Sequence, residues 1–134
     1  MAVDIADSSD TVKEIESLGG TAKGLRVDVS SEKETLKMAE ETLGAFGKID
    51  ILVNNAGFSK PAMLLKMTEE QWDQVVDLHL KGAFLCTQAA AQIMKEQKSG
   101  KIINVTSVAG LVGTVGQINY SAAKGGLLSF TKSA

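Results

Sequence analysis

The feature that most constrains this chain is its regular alternation of short apolar runs with longer amphipathic stretches. A strand, a helix and a further strand close most readily by parallel pairing, because the helix carries the chain back across the sheet. The runs at 2–5, 22–27, 49–53 and 101–105 read as strands. Ile49 to Val53 lacks alternation, which predicts a strand buried on both faces. Helices are expected over 7–18, with Ser8 or Ser9 as cap and Gly19-Gly20 as stop, and from Ser30 or Ser31 to about Phe46. A long helix is expected from Glu69 to about Lys95, and a last one from near Asn119 onward. Thr68 and Gln71 have capping-box spacing, and Trp72, Val76, Leu80, Ala83, Phe84 and Thr87 form the stripe expected to face inward. At 134 residues the chain has room for one domain, 1–134, of α/β class, with a parallel sheet and helices on both faces.

Composition excludes several functions. Apolar residues make up 44% and charged residues 22%, too apolar for disorder. The 14 basic and 16 acidic residues are mixed, giving a net charge of −2 and no basic stripe for nucleic acid. The apolar runs are too short for a membrane span, and no signal-peptide core opens the chain. The single cysteine, Cys86, has no internal partner, which suits a reducing compartment. The expected location is the cytoplasm, or an organelle stroma after removal of a transit peptide.

Chemistry concentrates near the end. The run Gly100 to Ser107 delivers a serine to the carboxyl end of a strand, where open α/β sheets bind ligands. Tyr120 follows thirteen residues later, and Lys124 four after that. Residues at i and i+4 share a helical face, with Cβ atoms about 5–6 Å apart. A phenol that ionises near 10 in water is a poor acid or base at neutral pH, and an adjacent ammonium stabilises its phenolate. A nearby hydroxyl can hold a substrate oxygen while the phenol exchanges its proton. Taken singly, Tyr-x-x-x-Lys reads as a surface pair and Ser107 as a strand-end cap. Their combination after this strand is far more specific.

With Asn54-Asn55-Ala56-Gly57 directly after the third strand, these residues resemble the short-chain dehydrogenase/reductase family over the whole chain. The resemblance implies an incomplete Rossmann-like, doubly wound parallel sheet. It also implies hydride transfer between a nicotinamide cofactor, NAD or NADP, and a carbonyl or secondary alcohol. Ser107, Tyr120 and Lys124 fall on the family's catalytic positions, and Lys124 would also bind the nicotinamide ribose. Asp28-Val29 is similar to the pair that holds the adenine. Asn54, Ala56 and Gly57 would border the cofactor, with Asn54 bracing the sheet; the same four residues also suit a tight turn after a strand.

One position departs from the pattern. His79 stands where the family has a catalytic asparagine, and it reads either as a packed core residue or as a proton relay toward Lys124. Asp4, at the end of the first strand, would accept from a ribose 2′-hydroxyl and repel a 2′-phosphate, favouring NAD; a plain helix-preceding aspartate is the rival reading. No metal site is expected. Gly110, Gly113 and Gly116 lack the strand–turn–helix context of a dinucleotide fingerprint and suit a flexible loop between Ser107 and Tyr120. Ser99-Gly100-Lys101 lacks the upstream glycine of a phosphate loop, and the sequon at Asn104 sits in a strand expected to be buried.

The family's glycine-rich turn and first strand are expected before residue 1, and its last strands after residue 134. In the strand order 3-2-1-4-5-6 the absent first strand is central, so the first two strands should have no bridge to the next two. Marginal stability or poor cofactor binding of this chain follows. The 116–124 segment looks most like the 3-oxoacyl-(acyl-carrier-protein) reductase branch, which implies an acyl-thioester substrate and NADPH. An NAD-linked alcohol or hydroxyacyl-CoA dehydrogenase is the close alternative, and a catalytically silent oligomerisation scaffold the alternative from another class. A homotetramer or homodimer is expected for the intact protein by the same resemblance.

Overall fold

Parallel strand pairs form where the alternation predicts them, but they form two separate sheets. A computed structural model describes residues 1–134. Strand β1 (Ala2–Asp4) pairs with β2 (Gly24–Arg26), Val3 lying opposite Leu25. Strand β3 (Ile51–Asn54) pairs with β4 (Lys101–Asn104), ending with Asn54 opposite Asn104. No strand joins the pairs, as the strand order predicts.

Helices hold the halves together. Helix α1 (Ser9–Ser17) links β1 to β2, and α2 (Glu32–Phe46) leads toward β3. The segment 69–97 contains α3 (Glu69–Val76), a π-turn (Asp77–Lys81) and α4 (Gly82–Gln97). Met38 of α2 and Cys86 of α4 enclose Val27, with Val3, Leu25 and Leu52 packed around them, so this cluster spans both sheets. Ala39, Ala89, Ala90 and Met94 bury Ile49 and pack on Leu52 and Ile102. Burying one such large side chain contributes roughly 1.5–3 kcal/mol, so these clusters replace, in part, the missing strand pairing.

Several local expectations need correction. Burial along β3 alternates, with Ile51 and Val53 more than half exposed, because α2 and α4 cover only the face carrying Leu52. The run starts later than expected because Gln97 occupies Ile49: its side-chain amide accepts from the Ile49 N–H and donates to the Ile49 carbonyl, at 2.9 and 2.8 Å. Ser8 and Ser31 precede α1 and α2 but make no side-chain capping bond. Instead the Asp7 carboxylate accepts from the Ser9 N–H and hydroxyl, and the Glu34 carboxylate accepts from the Asp28 N–H. Trp72 and Phe84 are exposed, whereas Val75, His79, Ala83 and Cys86 face inward. This helix carries apolar residues on two faces and only one is covered.

The Thr68 capping box forms as expected, its hydroxyl accepting from the Gln71 N–H and its own N–H donating to the Gln71 side chain. The segment expected to be a flexible loop holds a short helix, α5 (Ala109–Val112), laid on α6 (Ile118–Ser133). Gly110 makes that contact possible: a Cβ there would stand 2.6 Å from the Lys124 carbonyl carbon. No helix is long and apolar enough to cross a membrane.

Candidate active site

The site grows from the carboxyl ends of the strands. Asn54 closes β3, and its side-chain amide donates to the Asn104 side chain at 2.8 Å and to the Thr87 hydroxyl at 3.1 Å. Asn104 in turn donates to the Thr131 hydroxyl. One polar chain therefore ties α4, both strands and α6 together. Thr87 was legible only as a stripe position and Asn104 only as a sequon; Thr131 gave no signal. Pairing across neighbouring strand ends is a tertiary fact that periodicity does not carry.

Helix α6 presents Tyr120 and Lys124 to this edge. Lys124 is buried, and its ammonium donates to the Val105 carbonyl and lies 5.7 Å from the centre of the Tyr120 ring. Burial lowers the Lys124 pKa from its ordinary value. Ser107 follows Val105 by two residues, and its hydroxyl accepts from the Ala109 N–H at the start of α5. The Thr106 hydroxyl donates to the Lys124 carbonyl, binding the same strand end to α6 once more.

His79 sits at the centre of the π-turn, a wide turn of a kind frequent at functional sites. Its ring meets that of Tyr120 edge to face, with centres 5.1 Å apart. Its Nε2 lies 2.8 Å from the Phe58 carbonyl. A carbonyl only accepts, so Nε2 carries the proton. Burial pushes the His79 pKa below its ordinary value; the bond to Phe58 opposes this and the charge of Lys124 adds to it. The ring is therefore neutral at pH 7, and Nδ1 is an acceptor, buried and without a protein partner. Gly57 lies against this ring, where a Cβ would stand 2.0 Å from its Cε1.

A groove of about 1410 Å³ runs between the two sheets along these strand ends. Asp4, Asp28, Val29, Asn54, Ala56, Gly57, His79 and Lys124 all border it. Ser107 and Tyr120 do not; Tyr120 reaches it through His79 and Lys124, which do. Asp4 accepts from the Ala6 N–H, and Asp28 from the Ser30 N–H and hydroxyl, which hold its pKa below the usual carboxylate range. No cluster of metal-ligating side chains is present.

The chain is similar to known proteins of one family. The family described as short chain dehydrogenase matches residues 1–134. The chain belongs to that family. It is 50% identical over 121 residues to a 3-oxoacyl-(acyl-carrier-protein) reductase of Synechocystis, covering 90% of this chain and 49% of that protein. It is 42% identical to the 3-oxoacyl-(acyl-carrier-protein) reductase FabG of Staphylococcus aureus, covering all of this chain and 56% of that protein. A crystal structure of a short chain dehydrogenase from Mycobacterium avium superposes with a TM-score of 0.88 at 37% identity, covering 92% of this chain and 44% of that one. The chain thus spans about half the length of the relatives it matches. The Rossmann-like, incomplete α/β architecture expected from the sequence is that of this family.

Asn119 escaped sequence reasoning. It is fully buried, its side-chain amide donates to the Lys60 and Gln71 carbonyls, and its oxygen accepts from the Tyr120 N–H. Its place beside Tyr120 was the only available signal.

Proposed function

We propose that this chain supplies the proton-handling part of an NAD(P)-linked reductase that converts a 3-oxoacyl thioester to a 3-hydroxyacyl thioester. The observation that carries the reading is the Tyr120 ring with both the Lys124 ammonium, 5.7 Å from its centre, and the His79 imidazole, 5.1 Å between ring centres, close to it. The names of the similar curated proteins support the substrate class.

A dinucleotide would lie in the groove that Asp4, Asp28, Gly57 and Lys124 border. Asp4, Asp28 and Val29 would hold the adenosine end, while Asn54, Ala56 and Gly57 would line the middle. The cofactor supplies hydride when bound. Tyr120 donates its phenolic proton to the substrate oxygen, which the Ser107 hydroxyl orients. Lys124 stabilises the resulting phenolate and holds the nicotinamide ribose. His79, with its Nε2–H held by the Phe58 carbonyl, stays neutral and would use Nδ1 to accept a hydrogen bond from a water that passes the proton toward Lys124. Asp4 at the groove favours NAD, whereas resemblance to the acyl-carrier-protein reductase branch favours NADP; an NAD-linked dehydrogenase of hydroxyacyl-CoA is the second reading, and Asp4 is the residue that supports it.

The test is Tyr120→Phe in the full-length protein, assayed with acetoacetyl thioesters and with secondary alcohols under both cofactors. Loss of turnover by about 100-fold or more is expected, the range of a general acid. Unchanged turnover would exclude the phenol from the mechanism, and an inactive wild type would favour a scaffold.

A further inference from the structure

Tyr120 and His79 meet edge to face although they stand on different helices, so something must fix one relative to the other. The segment following β3 does this for both rings. Its Phe58 carbonyl receives the His79 Nε2–H, and two residues later its Lys60 carbonyl receives an amide proton of Asn119. The same segment pairs with the start of α6 once more, where the Ala62 N–H donates to the Gly116 carbonyl at 2.8 Å.

Asn119 reaches a second element as well. Its other amide proton goes to the carbonyl of Gln71 at 2.9 Å, and Gln71 is itself locked in the Thr68 capping box. The side-chain oxygen accepts from the N–H of Tyr120 at 2.8 Å, one of the first-turn donors that a helix leaves without a partner. Two donors toward two carbonyls and an acceptor toward one N–H are what a short amide provides and a carboxylate or hydroxyl does not. At 0% exposure there is no room for the longer glutamine.

We propose that Asn119 is a positioning residue that holds Tyr120 against His79, by pinning the first turn of α6 to the Phe58–Lys60 segment and to α3. The proposal rests on the reading of Tyr120 as the proton donor, but its geometric part is tested separately. The chain has one tyrosine, one histidine and one tryptophan, so each ring is identified in a proton spectrum without assignment of the rest. A cross-peak between the His79 and Tyr120 rings is expected in the wild-type chain. Asn119→Ala and Asn119→Asp should both lose it while the near-ultraviolet signal of Trp72 persists. In the full-length protein both should lower kcat by up to about 100-fold, the cost of roughly 1 Å of misplacement, with KM changed far less.

Asn119→Asp keeps the acceptor for Tyr120 but not the two donors. If it retained the cross-peak and kcat, the clamp would be refuted, and the same result from Asn119→Ala would refute it too. Should neither variant fold, the wild type decides. Side-chain amide protons of Asn119 that exchange far more slowly than free amides support the clamp, and exchange at the free rate overturns it. If Tyr120→Phe left turnover intact while Asn119→Ala abolished the cross-peak, the catalytic reading would fail and the clamp would stand.

Discussion

At the residue scale, burial decides the charge of His79, and charge decides what the ring can do. Its folded pKa is lowered mainly by desolvation, so the folded chain resists a proton that the unfolded chain accepts below about 6.5. The sign follows from linkage: stability is at its full value above the unfolded pKa and falls as pH drops toward the folded one, by up to about 1.4 kcal/mol per unit. His79→Asn should flatten the urea midpoint between pH 7 and 5.5, a window above that of the carboxylates. The C2 proton of this histidine should titrate with a midpoint below 6.5 in the wild type. A midpoint at or above the ordinary value would contradict the buried, neutral ring. Cys86, whose thiol burial raises to about 11, stays protonated throughout and packs as an apolar group.

At the element scale, the start of α3 matters beyond its own helix, because Gln71 serves both the cap and Asn119. Thr68→Ala should cost about 1 kcal/mol in chemical denaturation, and Thr68→Ser should recover most of it. Equal losses from both would show that the hydroxyl is not the capping group. The capping box was readable because it depends on two side chains three residues apart. The strands were readable for the same reason, each being a short apolar run between turns. What could not be read is set by distant partners. Gln97 displaces the start of β3, α5 exists because Gly110 lets it rest on α6, and Trp72 faces solvent because only one apolar face of its helix is covered. At the site, Tyr120 and Lys124 were legible from their i,i+4 spacing. Asn119 was not, because the carbonyls it serves lie 48 and 59 residues away.

At the scale of the whole molecule, two strand pairs stand apart and are joined through Val27, Met38 and Cys86. Hydrogen-bonded pairing does not cross the groove, and Ile51, Val53 and Ile103 lie largely exposed. An unfolding free energy below about 5 kcal/mol, the low end for single domains, is therefore expected for these 134 residues in urea. Titration with NAD should give weak binding, since the groove has walls on separate sheets. Tight, stoichiometric binding, or an unfolding free energy well above that limit, would show that the helical cluster alone makes the halves rigid.

Gly57 and His79 carry one more implication. A single methyl group at position 57 would occupy the space of the imidazole edge, so the two residues, 22 apart in sequence, behave as one site for change. Gly57→Ala would therefore force the imidazole to move, and with it the edge that meets the Tyr120 ring.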